Sequence, residues 1–158
     1  AADQLAAARQ LALGEIYDTT PGAAFTPTTS RLINVSARSF VGVGGDRLIT
    51  GFVIAGLSPQ TVLVRAIGGT LAAFGVAGSL DNPRLELFSG STKLLENDDW
   101  SGNPSISSTA ARVGAFILPV ASKDAALVAT LPPGAYTAQV TGVAETTGIA
   151  LVEVYEVP

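Results

Sequence analysis

Residues Tyr136–Val140, with the sequence YTAQV, decide the fold class, because apolar and polar side chains alternate along them. A period of two is typical of a β-strand that turns one face to a core and the other to solvent. Leu85–Leu87, with the sequence LEL, shows the same alternation. Clusters of Gly, Pro, Asn and Asp separate such segments, as turns do between short strands. The pattern therefore predicts an all-β protein.

Candidate strands follow one another from Arg31 to the end of the chain. They are Arg31–Arg38, Arg47–Ala55, Thr61–Ile67, Arg84–Phe88, Thr92–Asn97, Arg112–Val120, Ala125–Leu131, Ala135–Thr141 and Ile149–Tyr155. About nine short strands at this spacing predict an antiparallel two-sheet β-sandwich, immunoglobulin-like or jelly-roll-like, with an N-terminal extension. Within the candidate strand Arg112–Val120, residues Val113–Val120 are apolar on both faces, so we expect this strand at the centre of a sheet or against another subunit. From Arg31 onward, the one helical element predicted is a single turn over Thr70–Phe74, capped by Thr70 and closed by Gly75.

The composition fits one domain with an appendage and argues against two classes of partner. Of 158 residues, 47% are hydrophobic and 14% are charged, and the formal net charge is -4 at pH 7. No apolar run reaches the roughly 18 residues of a membrane-spanning helix, so no membrane span is predicted. The Lys and Arg residues are scattered and form no basic patch, so no nucleic acid partner is predicted.

Cysteine, histidine and methionine are all absent from the sequence. Without Cys and His, the chain cannot build Ser–His–Asp or Cys–His catalytic groups, or the zinc sites that use those ligands. The adjacent carboxylates Asp98 and Asp99 would point to opposite faces of a strand. Ser122–Asp124 lies in a predicted turn, where polar residues are normally solvated. The sequence therefore predicts a protein that is not an enzyme.

The chain starts at Ala1 without a methionine. This start favours removal of a signal peptide and a location outside the cell or on its surface. Trimming of methionine alone, or numbering from a later point, would produce the same start.

Asn97, Asp98 and Asp99 form the densest polar cluster and are followed by Trp100. Oxygen-rich loops of this kind can bind calcium, which takes about six to eight oxygen ligands. The alternative is an Asx-type turn, in which these side chains cap their own backbone and Trp100 packs over them. No other cofactor is predicted. Trp100 and Tyr136 are also the candidate aromatic platforms for stacking on a sugar.

Several segments spread over the chain are each weakly distinctive but form a fairly specific collection. They are Arg31–Arg38, Val41–Gly44, Leu48–Ile54, Val62–Gly68, Asn97–Trp100, Gly134–Ala138 and Ala150–Tyr155. Together they resemble a little-characterised family of secreted bacterial β-sandwich modules, which often occur in tandem in large exported proteins. The resemblance covers about Arg31 to Pro158 and implies an extracellular, non-enzymatic module, with no ligand or catalytic residue to transfer. Members often have Gly-Pro-Ser where this chain has Gly68–Thr70, so we expect the turn there to differ.

Leu11–Asp18, with the sequence LALGEIYD, resembles Ile149–Glu156, with the sequence IALVEVYE. We therefore interpret residues 1–17 as an N-terminal arm, residues 18–30 as a Thr/Pro-rich linker and residues 31–158 as the sandwich domain. A linker of this length spans up to about 43 Å when extended, so it can carry the arm beyond its own domain. In a tandem array, a closing strand leads through such a linker into the next module. The chain looks like a unit taken from an array of this kind.

The arm predicts assembly between chains, with the protein itself as partner. Added to the sheet edge of a neighbouring copy, the arm would build an extracellular filament or surface assembly that grows head to tail. The residues of this donated strand are Leu11, Leu13, Glu15, Ile16 and Tyr17. The arm could instead pair with its own sheet or be an inert remnant. The alternative function is a secreted carbohydrate-binding or adhesive module, whose partner would be a cell-surface glycan.

Overall fold

In the residues that the structure describes, eight β-strands and one α-helix make up most of the regular structure. The computed structural model describes residues 14–17, 21, 24, 26, 29 and 32–158, and the chain divides into two units, residues 1–32 and 33–158. The strands are β1 (Asn34–Val41), β2 (Leu48–Ile54), β3 (Gln60–Ile67), β4 (Pro83–Ser89), β5 (Thr92–Asn97), β6 (Ala125–Leu131), β7 (Gly134–Gly142) and β8 (Gly148–Val157). The helix α1 spans Pro104–Arg112, and 3₁₀ turns span Gly69–Phe74 and Val143–Glu145. None of the helices in the described residues is long and apolar enough to cross a membrane.

The strands form two antiparallel four-stranded sheets. The first sheet has the order β1-β8-β3-β6, and the second sheet has the order β2-β7-β4-β5. The pairing is nested, because β1 pairs with β8, β2 with β7, β3 with β6 and β4 with β5. A long hairpin rolled into two facing sheets in this way is the arrangement of a jelly roll. The predicted all-β, two-sheet sandwich is therefore confirmed, and it has eight strands.

The main core lies between the two sheets and follows the alternation of the sequence. On β7, Tyr136, Ala138 and Val140 are buried in this core, whereas Thr137 and Gln139 point the other way and are half-buried. Every strand except β5 contributes a buried residue to it. The period of two in the sequence thus marks the inner face of the second sheet correctly.

A second apolar layer covers the outer face of the first sheet. We call residues 98–124, which include α1, the covering segment. Its residues Ile106 and Leu118 are buried in one cluster with Leu63 and Ile67 of β3. β3 is therefore apolar on both faces because one face meets the main core and the other meets the covering segment.

The predicted strand Arg112–Val120 is wrong, and α1 is a helix that the sequence analysis did not predict. The helix begins where the Asn103 side chain accepts a hydrogen bond from the Ser105 N–H at 2.9 Å, with Pro104 in the first turn. It ends before Gly114, which has a left-handed φ of 71°. Serine and threonine have weak helix propensity, so the caps and the packing against the first sheet decide the structure here.

The helical turn predicted after β3 is confirmed, but its predicted cap is wrong. Gly75 closes the turn Gly69–Phe74 with a left-handed φ of 78°. Thr70 lies inside the turn instead of before it, and its hydroxyl donates a hydrogen bond to the Asp124 carboxylate. The N-terminal capping position is occupied by Gly68. The turn is therefore anchored by a residue far away in the sequence.

Candidate functional site

The described part of the arm is exposed and has no regular secondary structure. Leu11 and Leu13 lie outside the described residues. Glu15, Ile16 and Tyr17 are exposed, and the exposed fraction of Ile16 is 71%. The Tyr17 hydroxyl donates a hydrogen bond to Glu15 Oε1 at 3.1 Å. The role of these residues as a donated strand stays a prediction.

The same hydrogen bond occurs in β8, in the segment that the arm resembles. There the Tyr155 hydroxyl donates to Glu153 Oε1 at 3.0 Å. In both places the two residues are separated by one position, so an extended chain puts them on the same side. The arm therefore matches β8 in sequence and also in one local side-chain contact.

Glu153 belongs to a buried ion pair between two neighbouring strands of the first sheet. Its Oε2 atom accepts hydrogen bonds from Arg65 Nε at 2.9 Å and from Arg65 Nη2 at 2.5 Å. The two residues lie directly opposite each other on β8 and β3. The exposed fraction of Arg65 is 0%. A buried charge is stable only when it is paired and hydrogen-bonded, so each of these residues requires the other.

The covering segment completes the environment of Arg65. Arg65 Nη1 donates a hydrogen bond to the carbonyl oxygen of Phe116 at 2.6 Å, and the guanidinium carbon lies 4.3 Å from the centre of the Phe116 ring. Burial raises the pKa of Tyr155 to about 12, and the charge and the hydrogen bond of Glu153 act in the same direction. This cluster joins β3, β8 and the covering segment.

The sequence analysis did not single out Arg65 or Glu153. The available signal was one charged residue within each of two apolar runs, VLVRAI in β3 and ALVEVY in β8. A lone charge in a strand that is buried on both faces needs a partner of opposite sign on the same face. The two runs hold one Arg and one Glu, so this argument could have predicted the pair.

Asp124 corrects the expectation that Ser122–Asp124 is a solvated turn. Asp124 is completely buried. Its Oδ1 atom accepts a hydrogen bond from the Gly68 N–H at 2.7 Å, and Oδ2 accepts one from the Thr70 hydroxyl. The backbone carbonyl oxygen of Asp124 accepts a hydrogen bond from the backbone N–H of Trp100 at 2.9 Å. The Asp124 side chain therefore has a structural partner on each oxygen.

Asn97, Asp98 and Asp99 form a hydrogen-bonded turn at the end of β5. Asn97 Oδ1 accepts the Ala126 N–H at 2.9 Å, and Asn97 Nδ2 donates to the Asp99 carbonyl oxygen at 3.1 Å. Arg84 Nη2 lies 3.8 Å from Asp98 Oδ2. In the part of the chain that the structure describes, no group of three or more His, Cys, Asp and Glu residues could hold a metal ion. Calcium binding here stays a prediction.

Trp100 and Tyr136 lie in the interior, where neither presents an open ring face. Their exposed fractions are 3% and 6%. Trp100 Nε1 donates to the Pro119 carbonyl oxygen at 3.1 Å, and the Tyr136 hydroxyl donates to the Pro132 carbonyl oxygen at 2.8 Å. The Tyr136 ring also stacks on Phe52, with 5.6 Å between the ring centres. In this structure both aromatic residues stabilise the fold.

Two of the four sheet edges are protected against a further strand. The edges are β1 and β6 in the first sheet and β2 and β5 in the second sheet. On β6, the Ala126 N–H is already bound by the Asn97 side chain. β5 carries Lys93, which lies 3.2 Å from Glu86, and its pairing with β4 contains a register shift. Charges and irregular pairing both oppose strand addition at an edge.

Among the residues that the structure describes, β1 and β2 are the more open edges. β1 pairs with β8 over eight residues without a register shift. Its outward residues Asn34, Ser36, Arg38 and Phe40 are exposed. β2 has Gly51 near its centre, and a glycine inside a strand weakens it. β1 is therefore the longest and most regular of the open edges.

Comparison with known proteins yields only distant structural similarity. No family model matches the chain, and no curated protein matches it. The chain is similar to the pre-peptidase C-terminal domain of a collagenase from Bacillus anthracis, with 12% identity, a TM-score of 0.46 and coverage of 77% of this chain and 89% of that chain. It is also similar to the catalytic domain of an α-1,3-glucanase of glycoside hydrolase family 87, with 13% identity, a TM-score of 0.36 and coverage of 81% of this chain and 27% of that chain. Similarities this low assign no function.

Proposed function

We propose that this protein is an extracellular, non-enzymatic structural subunit that assembles head to tail with copies of itself. Residues 11–17 of one copy would add as a strand to a sheet edge of the next copy. The observation that best supports this proposal is the hydrogen bond from Tyr17 to Glu15, because it repeats the bond from Tyr155 to Glu153 in β8. The extracellular location rests on the resemblance of the sequence to secreted bacterial β-sandwich modules.

The arm adds to a free edge and does not exchange with β8 of the receiving copy. The alignment puts Gly14 where β8 has Val152, which is completely buried. An arm in the β8 position would leave a cavity and a flexible residue there, at a cost on the order of 2 kcal/mol or more. The receiving copy therefore keeps its own β8, and the arm finds its place at an edge.

The donated strand and the receiving edge are different surfaces, so the same contact can repeat from each copy to the next. A heterologous contact of this kind generates a fibre unless its rotation happens to close a ring. Residues 18–30 span up to about 43 Å when extended. A compact domain of this size has a diameter of about 36 Å, when its radius is calculated from the radius of gyration expected for its length. The linker is therefore long enough to let the arm reach a second copy.

Deletion of residues 1–17 tests the proposal. The full chain should form polymers in negative-stain electron micrographs, and the deletion variant should be a monomer in size-exclusion chromatography with light scattering. A matched control keeps the length and replaces residues 11–17 by Gly and Ser, which should also be monomeric. Polymers of the deletion variant would contradict the proposal, and so would a monomeric full chain.

A carbohydrate-binding or adhesive module is the alternative function. It has less support, because Trp100 and Tyr136 are buried and offer no platform for a sugar ring. Binding of the full chain to a glycan array, together with the absence of polymers, would favour this alternative over assembly.

A further inference from the structure

We infer that the outer edge of β1 receives residues 11–17 of a second copy, antiparallel and in the same register that β8 uses on the other side of β1. This inference rests on the proposed function, since it names the edge at which that assembly takes place. Its grounds are the β1–β8 pairing and the side chains that β1 exposes.

β1 already pairs with a strand that has the pattern of the arm. In that pairing Ser36 lies opposite Glu153, Arg38 opposite Leu151 and Phe40 opposite Ile149. Because the arm aligns residue by residue with β8, the same register can be transferred to the free side of β1. Residues that lie directly opposite each other share a face of the sheet, so the transfer also keeps inner and outer faces matched.

On the outer face, this register creates one apolar and one charged contact. Leu11 comes opposite Phe40, whose exposed fraction is 57%. Glu15 comes opposite Ser36 and diagonal to Arg38, which is also exposed. Diagonal neighbours in an antiparallel pair are about 7–8 Å apart, within reach of long side chains. The exposed aromatic ring and the exposed cation of β1 both gain a complementary partner.

On the inner face, the same register extends the main core. Val35 and Ala37 are half-buried and pack against that core from the edge of the sheet. Ile16 comes opposite Val35, and Gly14 comes opposite Ala37. The side chain of Ile16, now exposed, would cover the open margin of the core next to Val35. Both faces of β1 thus match the two faces of the arm.

Charge reversal tests this edge in the full chain. We expect Arg38→Glu and Glu15→Arg each to weaken self-association about fivefold, because each places like charges side by side. A chain that carries both reversals should recover, since the pair is restored with opposite polarity. Lys123→Glu, at an exposed position just before β6 at the opposite edge of the first sheet, is the matched control and should leave association unchanged. Unchanged thermal unfolding of every variant shows that the fold is intact.

Cysteine cross-linking locates the contact and separates pairing between chains from pairing within one chain. The sequence contains no Cys, so a mixture of a Leu11→Cys chain with a Phe40→Cys chain can form that disulfide only between two molecules. We expect a cross-linked dimer under mild oxidation from this mixture, and none from Leu11→Cys mixed with Lys93→Cys. Polymers that tolerate Arg38→Glu and cross-link at β5 would overturn the β1 assignment while leaving the proposed function in place. Polymers that persist after deletion of residues 1–17 would overturn both.

Discussion

Tyr155 donates a 3.0 Å hydrogen bond to Glu153, two positions earlier on β8. The second carboxylate oxygen of Glu153 is bound by the buried guanidinium of Arg65 on β3. The contact between Tyr155 and Glu153 recurs at Tyr17 and Glu15. This relationship connects the stability of the first sheet with the proposed role of the arm.

Removal of Arg65 alone should destabilise the protein strongly. Arg65→Met leaves the Glu153 carboxylate buried without its cation, and we expect a loss of about 3–5 kcal/mol in the free energy of unfolding. The double variant Arg65→Met/Glu153→Leu leaves no unpaired charge, so it should lose less than Arg65→Met. Urea unfolding of the three proteins measures both differences. A double variant less stable than the single variant would show that loss of the ion pair itself, and not the unpaired charge, accounts for most of the decrease in the free energy of unfolding.

The stability of the protein should fall at high pH through Tyr155. Folding raises the pKa of this phenol from 10.0 to about 12, so the folded state favours the protonated form. The resulting stabilisation is fully present below about pH 10 and is lost as the pH rises through about 12. Ultraviolet titration of phenolate should show a component near pH 12 that disappears in Tyr155→Phe. An unchanged titration curve in that variant would contradict the assignment.

Asp124 should matter for stability although it lies beside an exposed residue. Asp124→Ala removes the acceptor of the buried Gly68 N–H, and an unsatisfied buried donor costs about 1–3 kcal/mol. The neighbouring Lys123→Ala, at an exposed position, is the control and should change the free energy of unfolding by less than about 0.5 kcal/mol. Chemical denaturation compares the two. Equal stability of both variants would mean that the turn Gly69–Phe74 does not depend on this carboxylate.

Substitutions in the polar turn after β5 can distinguish a structural role of this turn from calcium binding. Asn97→Ala removes the acceptor of the Ala126 N–H, and we expect a loss of about 1–3 kcal/mol whether calcium or a chelator is present. Asp98→Ala removes a partly exposed contact with Arg84 at 3.8 Å, so it should change the free energy of unfolding by less than about 1 kcal/mol. A calcium-dependent rise in melting temperature that is lost in Asp98→Ala and Asp99→Ala would identify a metal site instead.

Local patterns in the sequence predicted most of the strands and the turn Gly69–Phe74. They failed over residues 98–124, where the stretch Val113–Val120 is apolar on both faces like a central strand. In the structure, Ala115 and Leu118 of this stretch are buried in the layer over the first sheet, while Ile117 and Val120 are exposed. A pattern count cannot show that a sheet has an outer face to cover, because that face exists only after the strands have paired.

The candidate functional residues were also predictable from the sequence only in part. The sequence marked the arm through its likeness to β8, because that likeness is written in the order of the residues. It placed Trp100 and Tyr136 as candidate platforms for a sugar, although the fold buries both of them. An aromatic residue in a sequence carries no sign of whether its ring face is covered, since burial depends on which distant segments pack against it.

The sequence by itself determined an all-β sandwich, because alternation of side chains and turn chemistry are properties of neighbouring residues. Only the tertiary structure decided that the first strand pairs with the last, and that Arg65 meets Glu153. These contacts join residues far apart in the chain, so their energies appear only when the two sheets have closed on each other. Within the described part of the chain, the same closure leaves β1 as the longer open edge, next to the strand that the arm resembles.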